Sequence, residues 1–289
     1  MKYAYFPGCS ADSTARDLYS STVAVARALG IEMIEPEGWS CCGSTMAHQT
    51  NPDLSAALAA ASLLKVRKMG LDMVVSCASC YSRMKIANAE IASSPKTRKA
   101  VAQALGEDYD GSVRVRHFLE IVLEDVGLDK LRKALKSSLG GMKVASYYGC
   151  LLVRPPEITG FDDPENPLSM DRLIEAMGGE SLDWPSKVDC CGGSLTLTRS
   201  DRVVGLSASI LAMAKDSGAE CIAVACPMCQ INLDLRQSDI STVTGRSYNL
   251  PILYIPQLMG LCLGLPADAL GLEKLIVSPR EVLSSVVQI

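Results

Sequence analysis

Two adjacent cysteines followed by glycine occur twice in this chain, at Cys41-Cys42-Gly43 and at Cys190-Cys191-Gly192. Each pair has the same surroundings: a single cysteine upstream and a Cys-x-x-Cys downstream. The first set is Cys9, Cys41, Cys42, Cys77 and Cys80, spaced C-x31-CC-x34-C-x2-C. The second is Cys150, Cys190, Cys191, Cys226 and Cys229, spaced C-x39-CC-x34-C-x2-C. Ten of twelve cysteines are used in this way, so whatever fold the chain adopts must gather five thiols twice.

The spacing is matched by a repeat in the letters. Met1-Lys2-Tyr3-Ala4-Tyr5-Phe6-Pro7-Gly8-Cys9 aligns with Met142-Lys143-Val144-Ala145-Ser146-Tyr147-Tyr148-Gly149-Cys150, and Val74-Val75-Ser76-Cys77 with Ala223-Val224-Ala225-Cys226. The closing stretch Val115-Arg116-His117-Phe118-Leu119-Glu120 corresponds to Leu253-Tyr254-Ile255-Pro256-Gln257, with Glu120 against Gln257 and His117 against Tyr254. The boundary falls near Leu139-Gly140-Gly141, giving a first domain at 1–140 and a second at 141–289. Short apolar runs at 1–6, 31–34, 72–76 and 113–115 read as strands. Helices are expected between them: one capped by Ser10 or Asp12, one opened by Asn51-Pro52 and stopped by Gly70, and one over 117–126. Strands alternating with helices predict an α/β fold, two pseudo-symmetric Rossmann-like (parallel-sheet) halves from an internal duplication. In such sheets functional groups collect beyond the carboxyl ends of strands. Cys9, Cys77, Cys150 and Cys226 sit at those ends. The proline- and acid-rich segment 154–167 lengthens the second copy and reads as a surface loop.

Composition excludes several functions. A net charge of −4 with no basic block gives no support to nucleic-acid binding. No G-x-G-x-x-G and no G-x4-G-K-[ST] occurs, so no nucleotide or flavin site is expected. No apolar stretch is long enough to span a bilayer, and no signal peptide is visible. The expected compartment is cytoplasmic, where many cysteines point to metal or redox chemistry rather than disulfides. Zinc takes four ligands, whereas each set offers five. An iron–sulfur cluster, held by thiolates on more than one iron, accommodates the fifth. The usual ferredoxin run C-x2-C-x2-C-x3-C-P is absent.

Paired Cys-Cys-Gly sets in a chain of this length resemble the catalytic B-subunit of heterodisulfide reductase, over essentially the whole sequence. The resemblance implies two noncubane 4Fe-4S clusters, one on Cys9, Cys41, Cys42, Cys77 and Cys80 and one on Cys150, Cys190, Cys191, Cys226 and Cys229. It implies a disulfide oxidoreductase, reducing a heterodisulfide such as CoM-S-S-CoB or a bacterial equivalent to two thiols by one-electron steps. Electrons would come from a ferredoxin-like iron–sulfur partner, the C-subunit of such complexes, fed by their flavin-containing A-subunit. Any membrane association would be made through partners. The alternative is an electron-transfer subunit of a dehydrogenase or respiratory complex with no substrate of its own.

Few other residues carry chemistry. His48 follows the first Cys-Cys-Gly closely, and Arg154 and Arg199 follow Cys150 and Cys191, so these three are candidates for facing a substrate. Each arginine has an alternative as a solvated charge. His117, which the repeat matches to Tyr254, is expected to cap or pack. Cys221 and Cys262 lie in apolar runs and read as buried small hydrophobes.

Overall fold

The structure, a computed structural model, describes residues 1–44 and 47–284, apart from the side chains of His48 and Gln49. Eight described strands form two four-stranded, all-parallel sheets. The first contains β1 (Lys2–Phe6), β2 (Glu32–Ile34), β3 (Met73–Val75) and β4 (Val115–His117), in the order β2-β1-β3-β4. The second contains β5 (Lys143–Tyr147), β6 (Glu180–Ser181), β7 (Cys221–Val224) and β8 (Ile252–Tyr254), in the matching order β6-β5-β7-β8. Two Rossmann-like halves follow, as the repeat predicts. In each sheet the chain leaves the first strand to one side and returns on the other. The crevice beyond β1 and β3, or beyond β5 and β7, is therefore the switch point where doubly wound sheets place their sites.

Local signals explain the helices that matter. Asn51 caps α2 (Pro52–Met69): its side chain accepts from Leu54 N at 3.0 Å, Pro52 fills the first turn, and Gly70 ends it in the left-handed conformation. The preceding helix α1 (Arg16–Ala28) begins later than Ser10 or Asp12 would set it. Gly8–Asp12 forms a helical turn of its own, and Ala15 occupies the cap position without a side-chain bond. β4 also lies two residues beyond its expected place. Tyr109 and Asn88 side chains take the backbone groups of Val113, so ladder pairing with Met73 starts at Val115. The helix expected over 117–126 starts as Phe118–Glu120 and continues as a π-helix at Ile121–Val126.

The halves share one buried core. α1 packs against α6 (Ile255–Cys262), the helix after β8, and α3 (Ala78–Ser93) packs against α4 (Cys150–Val153) and against the turn Pro156–Thr159. The segment 154–167 is thus more than a surface loop. The Tyr81 hydroxyl donates to the Thr159 carbonyl at 2.8 Å, Lys85 Nζ reaches the same oxygen, and Phe161 packs edge-on against Tyr81 and His117. Burial of apolar surface holds this seam together, at roughly 25 cal/mol per Å².

Candidate iron–sulfur site

Each set is assembled at the carboxyl ends of its two central strands. β1 leads through Gly8 to Cys9, and β3 leads through Ser76 to Cys77, the N-cap of α3, with Cys80 in its first turn. β5 leads through Gly149 to Cys150, and β7 to Cys226, the N-cap of α5 (Pro227–Asp234), with Cys229 in its first turn. The Cys-Cys-Gly turns come in from beyond β2 and β6. A helix N-terminus favours a thiolate, because unpaired N–H groups and the dipole face it.

The thiols run as a chain of side-chain interactions, Cys9 to Cys41 to Cys42 to Cys80 to Cys77. The second half repeats the order: Cys150 to Cys190, then its neighbour Cys191, which meets Cys229 with 3.4 Å between sulfurs, then Cys226. The two chains of thiols meet end to end, Cys77 against Cys226. Ala78 N donates to Ala225 O at 3.2 Å across the same junction. Cys42, Cys77, Cys80, Cys191, Cys226 and Cys229 are buried, while Cys9, at the outer end of the first chain, and Cys190, second from the outer end of the other, are exposed. Every cysteine is a free thiol. Among the described residues no three metal-ligating side chains surround a single ion position.

Charge cannot be shared freely in so dense a group. A hydrogen bond from Cys42 and another from Cys9 pull the Cys41 thiol down, and Cys150 lowers Cys190 to about 6. Cys229 and Cys77 pull Cys226 down, while the donor thiols Cys9, Cys77, Cys150 and Cys229 are pushed up. Adjacent thiolates repel in a desolvated site, so five can ionise together only around a cation. The cradle has the matching shape. A Cβ at Gly8, where φ is +77°, would lie 3.0 Å from Cys80 Sγ, and one at Gly149, where φ is +64°, 3.1 Å from Cys229 Sγ. Only glycine provides that backbone turn without crowding the sulfur. Gly192 N also donates to Cys190 Sγ at 3.4 Å, and Asn232 Nδ2 donates to Cys191 Sγ at 3.8 Å and to its carbonyl at 3.1 Å. Ten thiols so arranged fit two multi-iron clusters in donor type and number.

The remaining candidates separate. Cys221 and Cys262 are fully buried, and burial pushes both thiols up to about 12 with no other cysteine facing them, the behaviour of packed hydrophobes. Arg154 is paired with Glu165 at 2.9 Å and Arg199 with Asp201 at 3.1 Å, both half-exposed. The His48 backbone lies in Ala47–Thr50, but its side chain is outside the described residues. His117 caps its helix: Nδ1 accepts from Leu119 N at 3.3 Å and Glu120 accepts from His117 N at 2.5 Å. A cavity of about 450 Å³, lined by Asp12, Arg16, Tyr19, Glu35, Asp268 and Lys274 among others, includes no cysteine. Sequence reasoning overlooked Tyr254, which lies buried beside the junction. Its match to His117 in the repeat was the available signal.

The chain is similar to several known proteins. The family model described as a cysteine-rich domain, CCG, matches residues 3–85 and 144–234. The chain is 31% identical over 277 residues to the 8-methylmenaquinol:fumarate reductase membrane anchor subunit of Wolinella succinogenes, covering 96% of this chain and 97% of that one. It is 29% identical to the B-subunit of the ferredoxin/F420H2-dependent CoB-CoM heterodisulfide reductase of Methanosarcina acetivorans, covering 100% of this chain and 98% of that one. It is 30% identical to a protein of Archaeoglobus profundus described as like the heterodisulfide reductase B-subunit, covering 97% and 96%. The crystal structure of a hypothetical protein from Helicobacter pylori superposes with a TM-score of 0.77 at 13% identity, covering 96% of this chain and 52% of that one, a likeness of fold alone. Among the described residues no helix is long and apolar enough to cross a membrane.

Proposed function

Given that the chain belongs to the cysteine-rich CCG domain family, with heterodisulfide reductase components among its relatives, we propose that it is the catalytic iron–sulfur subunit of a disulfide-reducing complex. Cys9, Cys41, Cys42, Cys77 and Cys80 would hold one noncubane 4Fe-4S cluster, and Cys150, Cys190, Cys191, Cys226 and Cys229 the other. When bound, the two clusters supply one electron each, the two that one S–S bond needs. The observation that carries this reading is the meeting of the two thiol chains at Cys77 and Cys226. One disulfide reaches both sets only if they adjoin. The chain's part is to fix the thiolates at two helix N-termini, to leave room beside Cys80 and Cys229, and to bury the junction. Reduction takes two electrons and two protons and releases two thiols. In this reading the electrons arrive through a ferredoxin-like partner and a flavin-containing one, in the cytoplasm, with membrane contact made through partners.

The second reading is an electron-transfer subunit without its own substrate. The extent of the similarity to the fumarate reductase subunit favours it. The two readings are separated by anaerobic reconstitution with iron and sulfide, followed by disulfide reduction with a low-potential electron donor. The expected result is roughly four iron and four sulfide per set and turnover of a disulfide. Full clusters that are reducible but turn over no candidate disulfide would favour the second reading. Stoichiometric zinc without iron would remove both.

A further inference from the structure

The junction is flanked by two buried polar groups that the thiol framework does not use. β4 ends at His117, paired in register with Val75, and β8 ends at Tyr254, paired with Val224. These are equivalent positions, each beside the strand that delivers the first cysteine of a Cys-x-x-Cys. Tyr254 is fully buried and His117 is 2% exposed. Among the described residues neither Tyr254 Oη nor His117 Nε2 has a hydrogen-bond partner. A buried polar atom left unpaired costs its full desolvation, so such an atom calls for an acceptor that the protein chain alone does not provide.

The character of each group follows from its other contacts. His117 Nδ1 accepts from Leu119 N, so in the neutral ring the proton sits on Nε2, near the Ser76 and Ala225 carbonyls and facing Cys226. The Tyr254 hydroxyl lies in the field of Asp17, Cys226, Cys77 and Cys229. It has no carbonyl to satisfy it. Sulfur that carries negative charge is a hydrogen-bond acceptor, and donors to ligating sulfurs are among the levers that set a cluster's potential.

We propose that Tyr254 is a positioning and tuning residue whose hydroxyl donates a hydrogen bond to the ligating sulfurs at the Cys77–Cys226 junction, with His117 as its weaker counterpart in the first half. The inference rests on the cluster reading above. A donor stabilises the reduced, more negative state, so Tyr254 holds the neighbouring centre at a higher potential. Because one half supplies a phenol and the other an imidazole with two carbonyls nearby, the two centres are not equivalent. Electrons therefore settle first on the centre that Tyr254 faces.

The test is an EPR-monitored redox titration of the anaerobically reconstituted chain, with proton ENDOR on the reduced state. Tyr254→Phe removes one buried oxygen and should retain full iron. It should shift one centre to lower potential and abolish one exchangeable proton coupling. His117→Asn, which keeps the cap on Leu119 N but falls short of Nε2, should give a smaller shift in the same direction. 3-Fluorotyrosine at position 254, a stronger donor of the same shape, should shift the potential upward, and it decides the matter if the phenylalanine variant takes up no iron. Full clusters with unchanged potentials and an unchanged coupling in Tyr254→Phe would overturn the inference and leave the cluster reading standing. Wild-type chain that takes up no iron would overturn both.

Discussion

The first half closes its sheet with an imidazole and a π-helical turn, His117 and Ile121–Val126, while the second closes with a phenol and a regular helix, Tyr254 and Ile255–Cys262. The halves differ again in their buried acids. In the first, Asp17 lies buried on α1, and burial raises its carboxyl to about 6. In the second, Asp171 is buried but answered: Lys187 Nζ sits 2.8 Å away, and the Tyr148 and Ser181 hydroxyls donate to it at 2.6 and 2.9 Å. Yet Gly8 and Gly149, the Cys-Cys-Gly turns and the two Cys-x-x-Cys helices correspond one for one. What the thiols need was kept in both copies. What surrounds them diverged, and π-helical turns are frequent at functional sites.

The strongest challenge to this comparison is at the thiols themselves. Cys41→Ser and Cys190→Ser should each lose about half the iron of the reconstituted chain, the share of one cluster in two, and both should reduce disulfide turnover to background. If Cys190→Ser turned over disulfide normally, the halves would be unequal in function as well as in surroundings, and the second set would be a relay.

A smaller effect is expected at the buried pair of the second half. Lys187→Met leaves Asp171 buried and without its cation, and removing one partner of a buried pair typically costs about 3–5 kcal/mol. Urea unfolding should register the loss, and Lys187→Met with Asp171→Leu should recover most of it. Equal stability of the single variant and wild type would mean that the pair contributes nothing to the second half.

The smallest expected effect is at Asp17, and it depends on pH. Its folded pKa, about 6, exceeds its ordinary value of 3.8, so the folded state binds the proton more tightly. Stability from this group is full below pH 4 and declines as pH rises through 6. Asp17→Asn should therefore leave stability unchanged at pH 4 and raise it by on the order of 2 kcal/mol at pH 8. Thermal unfolding at the two pH values checks this, and a gain at pH 4 but none at pH 8 would refute it.

Much of the fold was readable because its signals are local. Asn51-Pro52 and Gly70 bound α2 because a cap side chain, a proline and a left-handed glycine act within one turn of chain. The strand before each Cys-x-x-Cys was equally plain. Less local features were misread. Val113 has strand-like neighbours, but the side chains of Tyr109 and Asn88 take its backbone groups. The acid- and proline-rich composition of 154–167 suggests solvent, yet Thr159 and Phe161 are held by Tyr81 and His117 from the other half. No pattern within the segment encodes a partner in another domain.

By itself the sequence determined the duplication, the parallel α/β halves and the grouping of ten cysteines into two fives, since repeat, periodicity and spacing are properties of the covalent chain. Only the tertiary structure decided that the fives adjoin through Cys77 and Cys226, and that Tyr254 and His117 end beside them with unpaired donors. That juxtaposition comes from packing α1 on α6 and α3 on the segment after Cys150, contacts between halves that no single stretch of chain specifies.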